Sequence, residues 1–224
     1  MPIPQHPGDT TTYAARVARH VPGLHDLHRM ASLLLAERVP ETGRVLVLGA
    51  GGGLELRAFA ERHPGWHFDG VDPSPGMIEQ AAVTLGSLTD RVTLHEGYID
   101  DAPEGPFDGA ACLLTLHFLP RDERLRTLRQ LGRRLRPGAP LVVAHHSFPR
   151  DHGQQDLWLR RNADLLISAG TSVSQAEKGI VTMKERLPTL SPEADEAVLR
   201  ECGFDDVQLF YAAFTFKGWV AYWN

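Results

Sequence analysis

The sequence predicts an α/β fold, doubly wound around a seven-stranded, mainly parallel sheet with an antiparallel last strand. Three observations carry that expectation. Apolar runs of strand length alternate with stretches of helical period along most of the 224 residues. The first such run, Arg44–Leu48, leads into a glycine-rich turn that opens a helix. Two strand-like runs close the chain with almost no loop between them, which forces an antiparallel pair.

Residues 1–12 are polar and Pro-rich and are expected to be mobile. Leu24–Arg38 reads as a helix, with Leu27, Met30, Ala31 and Leu34 at helical spacing, and Pro40 and Gly43 punctuate its end. Arg44–Leu48 has the continuous apolar character of a strand buried on both faces. Leu54–His63 is a helix closed by Pro64 and Gly65, and Trp66–Val71 is the second strand. Ser74 and Pro75 start the next helix as N-cap and first-turn proline. Arg91–His95 and Phe107–Leu114 are the third and fourth strands. Arg121–Arg136 is a helix with Leu125, Leu128, Leu131 and Leu135 on one face, ended by Pro137 and Gly138, and Leu141–His145 is the fifth strand. Residues 147–190 are longer than one connection requires and read as a helical insert over the acceptor side of the site. Ser191 and Pro192 begin a last helix, Gly203 stops it, and Asp206–Ala213 and Thr215–Tyr222 are the closing strands. The organisation is one domain over residues 1–224, with 1–38 as an N-terminal lid and helix.

The formal net charge of -5 argues against a nucleic-acid partner. The Arg-rich stretch from Arg121 to Arg136 carries leucines at helical spacing, so its arginines read as a solvated face. No run is apolar for long enough to span a bilayer, and the first residues lack the apolar stretch of a signal peptide. Cys112 and Cys202 lie far apart, which fits a reduced, cytoplasmic setting and no zinc site. The tail Trp219-Val220-Ala221-Tyr222-Trp223 reads either as a homodimer contact or as an edge strand of the core.

The glycine turn bears the chemistry. Gly49, Ala50, Gly51 and Gly53 join a buried strand to a helix whose first amides are free to meet a ligand. The dinucleotide fingerprint would place its third glycine at position 54, which is Leu54, so the spacing suits a cofactor without a pyrophosphate. Asp72 ends the next strand, where an acid can accept from both hydroxyls of a ribose.

With these features the chain resembles the class I S-adenosylmethionine-dependent methyltransferases. The resemblance also rests on Pro106-Phe107-Asp108 before the fourth strand, on Leu135–Val143 leading into the fifth, and on the closing hairpin. Within that class it is most similar to the carboxy-S-adenosylmethionine synthases of tRNA wobble modification and their methyltransferase relatives. The shared stretches include Val21-Pro22-Gly23, Ala36-Glu37-Arg38, Met77-Ile78-Glu79, Thr115-Leu116, Phe118-Leu119 and Gly203-Phe204. The resemblance implies a Rossmann-like methyltransferase fold and S-adenosylmethionine as cofactor, with S-adenosylhomocysteine as product. It implies methyl transfer to the oxygen or nitrogen of a small-molecule acceptor by direct displacement. It places Gly49, Ala50, Gly51, Gly53, Asp72, Pro73, Met77, Tyr98, Ile99, Asp100 and Leu114 around the cofactor, with Tyr98 and Ile99 covering the adenine and Asp100 taking its amine.

The departures are specific. Leu24 stands where those synthases have Tyr, Val47 and Tyr98 stand where they have acids, and Leu113 replaces Asn. The stretch Ser174-Gln175-Ala176-Glu177-Lys178 lacks the Arg that meets their extra carboxylate. Plain methyl transfer is therefore the expected chemistry. Carboxy-S-adenosylmethionine synthesis is one alternative, and a non-catalytic binding protein on the same fold is the other.

An acceptor hydroxyl or amine has to lose a proton, and histidine suits that near neutral pH. His117 follows the fourth strand at the carboxyl edge of the sheet, where it serves either as the acceptor's base or as a surface cap. His145 and His146 end the fifth strand at the same edge, and alternation turns only one of them toward an acceptor. No acid accompanies the three at a metal-ligand spacing. Tyr13 reads either as part of a lid, together with His25 or His28, or as a core-edge aromatic. Trp158 and Trp219 read as core more readily than as pocket.

Overall fold

The computed structural model describes residues 10–151 and 153–224. The mobile segment expected over residues 1–12 lies outside the described residues as far as position 9. From Thr10 the chain is already helical. Helix α1 spans Thr10–His20 and α2 spans Leu24–Ala36, with Gly23 between them in the left-handed region. The sheet strands are β1 (Arg44–Leu48), β2 (His67–Asp72), β3 (Val92–Glu96), β4 (Gly109–Leu113), β5 (Pro140–His146), β6 (Phe204–Ala213) and β7 (Phe216–Trp223). Helix α3 (Leu54–Arg62) joins β1 to β2, α4 (Pro75–Leu85) lies before β3, and α5 (Arg121–Gly132) lies between β4 and β5. The insert is helical as expected and forms two helices, α6 (Gln154–Ser168) and α7 (Val173–Arg186), before α8 (Pro192–Glu201).

The sheet order is β3-β2-β1-β4-β5-β7-β6. Strands β1 to β5 pair in parallel, and β7 runs antiparallel to both β5 and β6. The chain winds outward from β1 to β3, then returns to β4 on the other side of β1. That reversal leaves a crevice beyond the carboxyl ends of β1 and β4, where ligands of open α/β sheets bind. The tail was expected to be an edge strand or a dimer contact. Instead β7 lies inside the sheet and β6 is the edge, so Trp219, Val220, Ala221 and Tyr222 are core residues.

Strand alternation divides the core. Val45 and Val47 face α2 and α3 with Leu27, Leu35, Phe59 and Phe68. Leu46 and Leu48 face α5 and α8 with Leu125, Leu128, Leu131 and Val198. Val47, where the resemblance would lead one to expect an acid, is fully buried in the packed core.

The arginines of α5 are not all solvated. Arg121 and Arg129 pair with Glu201, and Arg126 pairs with Asp100 and Glu123. Arg124, at 1% exposure, forms a buried ion pair with Asp195 of α8. The leucine spacing marks the helix's buried face correctly. It gives no sign that an arginine shares that face, because the partner sits 71 residues away. Ser191 caps α8 as expected, its hydroxyl accepting from the amide of Ala194, whereas Ser74 makes no side-chain cap for α4.

Candidate functional site

A cavity of about 700 Å³ opens at the switch point, within the range of small-molecule and cofactor sites. Its floor is the glycine turn. The amides of Gly49 and Ala50 donate to the carbonyl of Val71 at 2.8 and 3.0 Å, tying the turn to the end of β2. Asp72 then clamps it. One carboxylate oxygen accepts from the Gly51 amide at 2.9 Å and the other from the Ser74 amide at 3.0 Å. Each oxygen keeps a further lone pair toward the cavity that Asp72 lines.

Gly51 and Gly53 both sit at positive φ, 48° and 78°, which side chains rarely adopt. Their uses differ. Gly51 lines the cavity, and a Cβ there would meet nothing nearer than the Tyr13 hydroxyl at 3.5 Å. At Gly53 a Cβ would press on the backbone of Ala81 at 3.0 Å, so this glycine admits α4 against α3. Gly53 and the buried Ala50 do not line the cavity, although both were expected at the cofactor.

The remaining walls come from four places. From α1, Tyr13 and Val17 line the cavity, and the Tyr13 hydroxyl accepts from the Gly52 amide at 3.3 Å. From α2 come Leu24 and His28. Beyond β2 and β3 come Pro73, Met77, Tyr98, Ile99 and Asp100, all residues expected at the cofactor. Tyr98 is 63% exposed and Ile99 is buried, so one offers a ring at the rim and the other an apolar floor. Asp100 is already engaged with Arg126 at 2.6 Å, so a ligand amine would have to share it. Beyond β4, Leu113, Leu114, Thr115, Phe118 and Leu119 complete the lining. Leu114 holds φ at 58°, an unusual conformation for a leucine, at the edge where the chain leaves the sheet.

The structure separates the three expected histidines from this cavity, since none of them lines it. His117 is buried edge-on to His146, with ring centroids 4.9 Å apart. His146 stacks on Phe216, and its Nδ1 lies 2.9 Å from the Thr215 hydroxyl, which donates to Asn162 of α6 at 3.0 Å. His145 points to the opposite side of the sheet, with Nε2 3.2 Å from Asp195 and its ring against Trp219. Burial pushes His146 down to about 3, with His145 adding to the effect, and holds His117 well below the ordinary imidazole value. No group of three possible metal ligands occurs among the described residues. The 147–190 insert contributes no lining residue either, and neither does Trp158 or Trp219.

Two titratable groups in the cavity stand out. His28 is buried, and burial, then His25, pushes it down to about 4, so it faces the cavity as a neutral imidazole. Glu55, in the first turn of α3, is 8% exposed. Burial raises its carboxyl to about 8, and the charge of Asp72 adds to the rise. Sequence reasoning passed over Glu55 because a Glu in a helix's first turn is ordinary on macrodipole grounds.

Residues 46–141 match a family model described as a methyltransferase domain. The chain is 28% identical over 211 residues to a carboxy-S-adenosyl-L-methionine synthase of Chromohalobacter salexigens, covering 92% of this chain and 78% of that one. It is 25% identical over 210 residues to the enzyme of the same name from Aeromonas salmonicida, covering 92% and 85%. Among solved structures, a putative O-methyltransferase from Nostoc punctiforme shares the fold with a TM-score of 0.66 at 19% identity. That likeness covers 89% of this chain but only 56% of the longer neighbour.

Proposed function

We propose that this chain is an S-adenosylmethionine-dependent methyltransferase whose switch-point cavity holds the cofactor beside a small, largely apolar acceptor. The observation that carries the reading is the convergence of a side-chain-free turn at Gly51, the Asp72 carboxylate and the Tyr98–Ile99 rim on one cavity. Asp72 has lone pairs left for ribose hydroxyls after holding the turn. Ile99 and Met77 offer the adenine an apolar seat, and Tyr98 a ring to stack on. When bound, S-adenosylmethionine supplies an electrophilic methyl group on its sulfonium.

The chain's part is to hold an acceptor in line with that group and to exclude water. Val17, Leu24, Leu114, Phe118 and Leu119 form an apolar wall suited to orienting a small acceptor. His28 replaces His117, His145 and His146 as the proposed acceptor contact, being the imidazole that faces the cavity. Neutral at pH 7, it can accept a hydrogen bond from an acceptor hydroxyl and take its proton as the new bond forms.

The relatives' name favours a second reading, carboxy-S-adenosylmethionine synthesis. An extra carboxylate on the cofactor needs a free cation. Among the described lining residues the one arginine, Arg126, is committed to Asp100 and Glu123. That supports plain methyl transfer. The buried, unbridged Cys112 and Cys202 fit a cytoplasmic setting, and no described helix is long and apolar enough to cross a membrane.

Differential thermal unfolding with S-adenosylmethionine tests the reading. A ligand that binds only the folded state must raise the melting temperature, by about 2.7 kcal/mol of stabilisation at one hundred times Kd. No rise at saturation overturns it in favour of a scaffold. Mass spectrometry of the nucleoside that copurifies separates methyl from carboxymethyl chemistry.

A further inference from the structure

Val47 stands on β1 where the resemblance would lead one to expect an acid, and its side chain is sealed in the core. The nearby Glu55 has no evident role in the fold. Its carboxyl lines the cavity and meets no cation among the described residues; the one group that favours its ionised form is its own backbone amide. The groups facing it are the wrong sign or neutral: Asp72 from β2, the Tyr13 phenol from α1, the Cys112 thiol from β4, and the neutral His28 across the cavity on α2. The one cationic side chain in the lining, Arg126, is occupied at the far rim. A carboxyl nearly nine-tenths removed from water or more is costly to ionise without a cation, and this fold supplies none. A ligand can.

We propose that Glu55, on α3 at the wall of the cavity, receives the ammonium group at the methionine end of the cofactor. This rests on the cofactor reading above. The position suits it. Glu55 lies in the turn of helix directly after the glycine loop, beside Tyr13, while the adenine seat at Tyr98 and Ile99 lies beyond Asp72.

The consequence is a proton. Raised to about 8, Glu55 is mostly protonated in the free protein at pH 7. An ammonium brought against it favours the ionised form, so binding releases close to one proton at pH 7. Affinity for a ligand bearing the ammonium then rises with pH, up to tenfold per unit, and levels off above pH 8. Tyr13 and Cys112 are both raised and stay protonated in this range, and His28 stays neutral, so none of them mimics the effect.

Isothermal titration of the full chain tests this with two probes, S-adenosylhomocysteine and 5′-methylthioadenosine, which lacks the amino-acid end. Titrations in buffers of different ionisation enthalpy count the protons. We expect about one proton released on S-adenosylhomocysteine binding at pH 7 and none with methylthioadenosine. Glu55→Gln should weaken S-adenosylhomocysteine at least tenfold and abolish the release, while methylthioadenosine changes less than twofold. Retained methylthioadenosine binding also shows that the variant is folded. Equal weakening of both probes makes Glu55 structural and overturns the proposal, as does proton release that survives the substitution. A wild-type chain that binds neither probe overturns the cofactor reading itself.

Discussion

The two halves of the sheet treat buried polarity in opposite ways. On the β1–β3 side, Asp72 and the amides of the glycine turn are joined by contacts 2 and 21 residues apart and stay open to a cavity. On the β4–β7 side, Arg124, Asp195, His145 and His117 are buried, and none of them lines the cavity. Burial pushes Asp195 up, but His145 and Arg124 outweigh it and hold its carboxyl below the usual range. The first arrangement leaves lone pairs for a ligand. The second leaves polar atoms with no hydrogen-bond partner among the described residues, including Nδ1 of both His117 and His145. Polarity within the β1–α3–β2 unit here lines a cavity, and polarity between distant segments joins helices to the sheet.

The sharpest break of that contrast is Arg124→Ala. Removing one member of a buried pair strands the other, so unfolding by urea should show a loss of about 3–5 kcal/mol. The double variant Arg124→Met with Asp195→Leu should recover most of it. If Arg124→Ala costs under 1 kcal/mol, the sealed network is not structural and the contrast fails.

Asp72→Ala is the matching experiment on the other side. It removes two charge-assisted bonds to the turn and the proposed ribose acceptor. Nucleoside affinity should fall by about 3 kcal/mol, roughly a hundredfold, with a smaller loss of stability. A large stability loss with unchanged affinity would invert the roles of the two halves.

The smallest effect compares the halves within one pH titration. His28 and His146 are both pushed down by burial, to about 4 and about 3, from an ordinary value near 6.5. A depressed imidazole contributes stability that is present above pH 6.5 and lost as pH falls toward the folded value. Each residue should cost on the order of 1 kcal/mol per pH unit below 6.5, less for the partly exposed His146. His28→Gln and His146→Gln should each flatten part of that slope. An unchanged slope in His28→Gln would mean that the cavity is wetter than its burial indicates.

The same contrast explains what the sequence discloses. The glycine turn and Asp72 are legible because they lie within one strand-turn-helix-strand unit and spacing encodes them, whereas Tyr98 and Ile99 are reached only through the family resemblance. The sheet's parallel part follows from alternation for the same reason. The histidines mislead because a residue's place at the carboxyl edge does not fix which way its side chain turns. His145 points through the sheet to Asp195, and His146 turns toward Thr215. Arg124, one of four arginines in α5, is invisible for want of its distant partner. Glu55 escapes notice because its burial depends on α1, β2 and β4 closing around it, which no local pattern records.

The placement of β7 between β5 and β6 has a consequence for assembly. Strand β6 leaves the chain first, yet it touches no other strand than its successor. It therefore cannot be added to the growing sheet in order of synthesis. Either the hairpin forms first, a microsecond event for such ribbons, or β6 folds back last, and in both cases β7 has to dock along β5. Until it does, the outer rim of β5 stands open to pairing with a stranger, so the speed of that single docking step sets how long the nascent molecule is exposed to aggregation.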